Sequence, residues 1–320
     1  MTSPETPGPG EGAARIPLPP LDGSPERLEV VSAWDGGTPY QLWRPQVLMP
    51  GTFRPAQPSQ VFAVANQKGG AGKTTSAVEL AAAWAAAGYR VRVIDGDPQE
   101  AALSAWLTPQ YPDGAEHRSL RSVFFDECSL DEATYPTAFE RIDIIPSSLD
   151  LARVEYERPI GAEQALAAAL AEEAGQPGGS PYDVTLIDSA PSLGLVTVAA
   201  LTAADKVLVP VKVGGLDMRG MASLHRTIRS VQRKTNPKLA VGAVLLTAWD
   251  KSDFARQLAV KVSEDYPEAP VVPIRRSVRA AEAPIASPPQ PVRLWAPGAP
   301  PAIDYDTAAS LLLTRKEIAS

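Results

Sequence analysis

The chain has 320 residues, enough for one large or two ordinary domains around a buried core. Its formal charge of −7 argues against indiscriminate nucleic-acid binding by the whole surface, so any DNA contact must come from a local basic patch. A single cysteine, Cys128, excludes an internal disulfide and a cysteine metal cluster. No run reaches the roughly 18 apolar residues of a membrane span, and MTSPETPGPGEG lacks the basic start and apolar core of a secretion signal. The expectation is a soluble cytoplasmic protein.

Twelve of the 33 prolines lie in residues 1–60, and the first 25 residues have no apolar periodicity, which predicts a disordered opening. Residues 28–34 and 40–48 are short apolar runs around Asp35-Gly36-Gly37, the pattern of a hairpin or a pair of edge strands. The tryptophans at 34 and 43 are read as anchors of this extension on the body. From residue 61 the rhythm is strand and helix in alternation. Strands are predicted at 61–65, 91–94, 142–145, 184–187, 206–211 and 239–246, and a first helix at 74–87, ended by Gly88. Near-continuous β-branched runs separated by helical sequence imply a parallel sheet covered on both faces. Residues 284–301 are again proline-rich and predict an extended excursion before a final helix near 305–318. The resulting division is a proline-rich extension over 1–60 and an α/β domain, doubly wound on a mostly parallel sheet, over 61–320.

The chemistry is densest between the first strand and the first helix. Lys68-Gly69-Gly70-Ala71-Gly72-Lys73-Thr74-Thr75 follows an apolar run and opens an Ala-rich helix. Glycines there let backbone N–H groups approach phosphate oxygens, and the helix N-terminus adds partial positive charge. In such a P-loop, Lys73 reaches the outer phosphates and the Thr74 hydroxyl is placed to hold Mg²⁺. The position usually filled by a first glycine is Lys68, so this loop carries two lysines. In Ile94-Asp95-Gly96-Asp97-Pro98-Gln99 two carboxylates end a strand, where open α/β sheets gather ligands. An acid there can hold metal-bound water or orient the water that attacks a γ-phosphate; Asp-Gly-Asp-Pro is also good turn chemistry. Asp188 ends the run Val184-Thr185-Leu186-Ile187 in the same way, in the place of a strand-end aspartate that supports Mg²⁺. His117 and His225 match no ligand or triad spacing.

KGGAGKTT preceded by Asn66-Gln67, IDGDPQ, IDSAPSLGL and VRAAEAP (278–284) together resemble the ParA branch of the ParA/MinD family of partitioning ATPases, over about residues 61–320. The resemblance implies a P-loop NTPase fold, ATP and Mg²⁺ as cofactors, and slow, partner-stimulated hydrolysis. Lys73 matches the lysine that binds its own subunit's ATP, and Lys68 the signature lysine that reaches the partner's ATP in a homodimer. Asp97 matches the residue needed for hydrolysis, and Asp95 and Asp188 sit near the metal. Arg276, followed by Arg279, matches a basic position that family members use to grip DNA without sequence preference. The remaining implications are a ParB-like centromere-binding adaptor and association with the nucleoid. Ser189-Ala190 stands where Cys-Pro is commoner in the family.

Arg219, Arg226, Arg229, Arg233 and Lys234 fall in one predicted helix, with 226, 229 and 233 on a shared face. That face is either solvated or a phosphate-tracking surface completed by dimerisation. Three functions remain open from sequence. One is a DNA-partitioning ATPase, for which Arg219, Arg276 and Arg279 are the DNA-binding candidates. Another is a positioning ATPase for a protein or membrane cargo, the membrane version being disfavoured because the tail after 308 has little amphipathic length. The last is a nucleotide-gated scaffold with little turnover.

Overall fold

The computed structural model describes residues 15–18, 31–33, 40–42, 59–99, 102–114, 116–214 and 218–313. Ten strands form one sheet: β1 (Val31–Ala33), β2 (Tyr40–Leu42), β3 (Gln60–Val64), β4 (Val91–Gly96), β5 (Tyr135–Pro136), β6 (Ile142–Ile145), β7 (Val184–Ser189), β8 (Lys206–Lys212), β9 (Ala240–Trp249) and β10 (Val271–Arg275). The order is β1-β2-β10-β9-β8-β3-β7-β4-β6-β5. All neighbours from β2 to β6 are parallel, and only the edge pairs β1–β2 and β5–β6 are antiparallel. The strands predicted from 61 to 246 are therefore all present. The paired edge strands expected near residues 31–42 are present too, although the Asp-Gly-Gly turn, Trp34 and Trp43 lie outside the described residues. So do residues 1–14 and 19–25, where a disordered opening is expected. Residues 15 and 16 are tied to the domain: the Ile16 N–H donates to Ala138 O at 2.7 Å, and the Arg15 guanidinium pairs with Asp143 at 2.8 Å.

The helices divide between two faces. On one lie α1 (Lys73–Ala86), α2 (Ala102–Leu107), α10 (Val292–Trp295) and α11 (Pro300–Leu313). The other carries α3 (Leu120–Phe124), α4 (Arg153–Glu157), α5 (Ala165–Gly175), α6 (Leu195–Ala203), α7 (Met218–Lys234) and α8 (Asp253–Asp265). Short α9 (Val278–Glu282) follows β10. The central strands feed both layers: Phe62 and Val64 pack under α1, while Ala63 and Ala65 face the opposite layer. This two-sided burial is why these strands lack a polar alternation. Arg92 is the exception. It is fully buried in β4, held by Glu173 of α5 at 2.6 Å, and stacked over the Tyr182 ring at 4.7 Å.

Alanine suits α1 both by helix propensity and by size, since small side chains let the helix lie close to the sheet and to α11. Trp84, fully buried, stacks on Phe62 and donates its indole N–H to Ala309 O at 3.0 Å. Two sequence expectations are corrected at the C-terminal end. The final helix begins at Pro300, not near 305, because proline fits the first turn, where its missing N–H costs nothing. The excursion 284–301 is not simply extended: it contains α10 and is pinned at three points. Trp106 donates to Gln290 O at 2.9 Å, Glu79 accepts from the Val292 N–H at 2.7 Å, and Arg293 pairs with Asp306. Strand β10 has no counterpart in the sequence reading. Its Pro273 discourages a strand assignment, and the structure places it at a register shift against β9.

Candidate functional site

The loop from Ala65 to Gly72 is built by its neighbours as much as by its glycines. Asn66 bridges it to the end of β8: its side-chain N–H donates to Pro210 O at 2.5 Å, and its carbonyl oxygen accepts from the Lys68 N–H at 3.1 Å. Gly70 (φ 68°) and Gly72 (φ 95°) lie in the left-handed region that side chains rarely adopt. Gly72 also faces Thr247 of β9, whose Cγ2 would stand 3.1 Å from an added Cβ and whose hydroxyl donates to Ala71 O at 2.8 Å. Gly69 is exposed, with nothing within 4 Å of an added Cβ.

Helix α1 starts on this loop. Lys73, its first residue, is buried and directs its ammonium back to the Lys68 carbonyl at 3.3 Å. Lys68 itself is half-buried at the outer turn, and Thr75 is half-buried beside Thr74. The Thr74 hydroxyl donates to Asp188 Oδ2 at 2.7 Å. Asp188 ends β7 at 1% exposure, and its Oδ1 has no hydrogen-bond partner among the described residues. Burial, reinforced by the charge of Asp95, pushes its carboxyl up to about 8, against the Thr74 hydrogen bond and the Lys73 charge. A buried carboxyl oxygen left bare beside the Thr74 hydroxyl offers the hard oxygen ligands that suit Mg²⁺.

Register sets Asp95 of β4 beside Asp188 of β7 and Gly96 beside Ser189. Only glycine fits at 96, since an added Cβ would lie 2.6 Å from the Asp188 carbonyl oxygen. Asp95 is used by its own loop and by α2. Its Oδ1 accepts from the Asp97 N–H at 3.1 Å, and its Oδ2 from the backbone and hydroxyl of Ser104 at 2.9 and 2.6 Å. Burial raises its pKa. Asp97 is half-buried at the rim; its Oδ1 accepts from the Gln99 N–H at 3.0 Å and its carbonyl from the Ser147 hydroxyl at 2.9 Å.

The structure thus gathers residues 68–75, Asp95, Asp97 and Asp188 at the carboxyl ends of three adjacent strands, β3, β7 and β4. The arginines stand apart. Arg276 is exposed after β10, three strand spacings from β3 or about 14 Å, and contributes, after Ser252, to holding the Asp250 carboxyl below its usual range. Arg279 is exposed and paired with Glu282 at 2.8 Å. Arg219 lies in the first turn of α7, with its side chain outside the described residues. Sequence reasoning does not reach Ser104 or Thr247, polar residues with no motif around them, and it reaches Ser147 only as part of the stretch 147–152 that shares the family likeness, without a role. His117 stacks on Tyr111 at 4.0 Å and His225 lies against Tyr266 at 5.5 Å, both structural contacts.

A strand, a glycine loop braced by neighbouring strands, a buried lysine at a helix start and two strand-end carboxylates define a P-loop nucleotide site. A family profile described as an AAA domain matches residues 59–241. The chain is 36% identical over 264 residues to an uncharacterized protein of Mycobacterium tuberculosis, covering 81% of this chain and 80% of that one. It is 38% identical over 236 residues to the chromosome partitioning protein ParA of Caulobacter vibrioides, covering 72% and 85%. Among solved structures it resembles cobyrinic acid a,c-diamide synthase from Mycobacterium smegmatis with bound ADP and magnesium, at TM-score 0.64 and 34% identity over 79% of this chain and 94% of that one. The chain belongs to the ParA branch of the ParA/MinD family of P-loop ATPases. No helix among the described residues is long and apolar enough to cross a membrane.

Proposed function

We propose that this ATPase is a DNA-partitioning switch. ATP closes two copies face to face, the dimer holds DNA without sequence preference, and hydrolysis, stimulated by a ParB-like adaptor, releases it. The observation that carries the reading is the pair of lysines in one loop. Lys73 is buried in its own site, whereas Lys68 is only half-buried, and in this reading it reaches the nucleotide of a second copy. Two sets of ATP phosphates pressed together repel, and a second lysine per subunit offsets that repulsion only when both nucleotides are present, which makes dimerisation nucleotide-dependent.

Residues 69–75 cradle the phosphates with backbone N–H groups, and Lys73 neutralises them. Thr74 and Asp188 hold Mg²⁺, the bare Asp188 oxygen supporting that fit. When bound, the metal screens the outer phosphate charge during phosphoryl transfer. Asp97, at the rim, orients the attacking water. Asp95, whose oxygens are both occupied, positions Asp97 through its backbone N–H and anchors the loop through Ser104. Arg276 leads the DNA contact, with Arg279 and Arg219 beside it, so binding weakens as salt rises. The cellular setting is the cytoplasm, on the nucleoid.

A gel-mobility assay on random duplex DNA tests this directly, with ADP against ATP–Mg²⁺ and wild type against Arg276→Ala. A shift seen only in ATP, reduced by salt and by the arginine change, is expected. No shift in either nucleotide, with ATP binding confirmed, would overturn the DNA cargo and point to a protein cargo. Asp97→Ala is expected to keep the ATP-dependent shift and abolish turnover; phosphate release at the wild-type rate would refute its role.

A further inference from the structure

Two surface depressions share Glu163, Leu193 and Val198 and so form one trough, running from the α4–α5 connection across the start of α6 to α7. The part between α6 and α7 encloses about 720 Å³, within the size range of ligand pockets. Leu193 and Val198, half-exposed above the core, give it an apolar strip between hydroxyl-bearing residues of α7 and the exposed Glu163, which stands where the two depressions meet. One wall is the exposed face of α7, carrying Arg226, Arg229 and Arg233.

That wall differs from the basic faces of α4, α8 and α9. On α4, α8 and α9 each arginine or lysine that forms an ion pair has a carboxylate three or four residues away, as in Arg153–Glu157, Lys261–Asp265 and Arg279–Glu282. Helix α7 has 17 residues and no acidic one. None of Arg226, Arg229 and Arg233 has a carboxylate partner among the described residues, in a chain whose net charge is −7. Same-face cations three and four residues apart repel, so the arrangement is costly without an anionic occupant.

We propose that this trough is the docking site for an acidic, amphipathic segment of a protein partner, its carboxylates on the α7 arginines and its apolar side chains on Leu193 and Val198. A recessed apolar strip rewards side chains that bury on it and gives nothing to duplex phosphates, which favours a peptide over DNA. The position has a consequence that rests on the ATPase mechanism above. Leu193 lies in the segment between Asp188 and α6, and Glu155 fixes the start of α6 by accepting from the Leu195 and Val196 N–H groups at 2.9 and 3.3 Å. An occupant therefore presses on the segment that follows Asp188.

The test is selection of a random 16-residue peptide display library on the full chain, with counter-selection on Arg226→Glu/Arg229→Glu. Enriched peptides are then measured by fluorescence anisotropy against wild type, the double variant and Val198→Ser, each checked for ATP binding. Expected are peptides in which Asp or Glu alternates with Leu, Ile or Phe, an affinity loss of at least about tenfold on charge reversal, and a smaller loss at Val198. Enrichment of neutral or basic peptides, no enrichment against the charge-reversed variant, or displacement of the peptide by random duplex DNA would overturn the proposal. Because the readout is binding, these outcomes stand whether or not the wild type shifts DNA or turns over ATP.

Discussion

Glu79 gives the sharpest quantitative test of the packing around the nucleotide helix. It lies in the middle of α1 at 2% exposure, with its carboxyl against the start of α10. Burial is the dominant cause that raises its pKa to about 7, opposed by the Val292 N–H and by Arg293, with Asp306 pushing the same way as burial. Unfolded, the group titrates near 4.5, so between these values the folded state binds the extra proton and stability falls as pH rises. With these two pKa values, the contribution drops by about 2.5 kcal/mol between pH 5 and pH 8. Glu79→Gln cannot titrate, so the difference between wild type and variant isolates the effect from every other carboxyl. We expect the melting temperature of the wild type relative to the glutamine variant to fall by roughly 5–10 °C from pH 5 to pH 8, measured at fixed ionic strength without nucleotide. The offset at any single pH carries no weight, because the amide also alters the hydrogen bonds to α10. A difference that stays flat or rises over this range would refute the reasoning.

Gly96→Ala should force β4 and β7 apart where their carboxylates meet, at a cost of about 3 kcal/mol, with the melting temperature lower by roughly 6–12 °C and ATP affinity reduced. Scanning calorimetry and nucleotide titration check this, and a wild-type melting point would show that the 2.6 Å approach relaxes freely. Asp188→Asn should leave the melting temperature of the nucleotide-free protein nearly unchanged at pH 7, because a carboxyl pushed up to about 8 is already mostly neutral there, but should abolish the added stabilisation by ATP–Mg²⁺ over ATP with EDTA. An intact magnesium increment in that variant would remove Asp188 from the metal site.

The parallel sheet and the phosphate loop were legible because both are local signals. Runs such as Val91-Arg92-Val93-Ile94 and the Gly-Lys-Thr sequence carry their meaning within a few residues. What escaped depends on contacts between distant positions. Thr247 braces Ala71 across 176 residues, and Glu79 meets Val292 across 213, with nothing near either residue in sequence to announce it. Strand β10 was hidden by its proline, and the early start of α11 by two prolines that suit a first helical turn. Asp95 was expected near the metal from its place in the motif; what the motif does not announce is that its Oδ1 also accepts from the Asp97 N–H and its Oδ2 from Ser104 of α2.

Helix α1 is buried on nearly every side from Lys73 to Ala85, between the sheet and α2, α10 and α11. A rod walled in this way has no room to tilt or slide when phosphate is lost. The opposite layer is less closed: beyond the buried Ser189 and Ala190, residues 191–195 lie partly exposed on the way into α6. The molecule is in effect an anvil on one side of its sheet and a more open cover on the other.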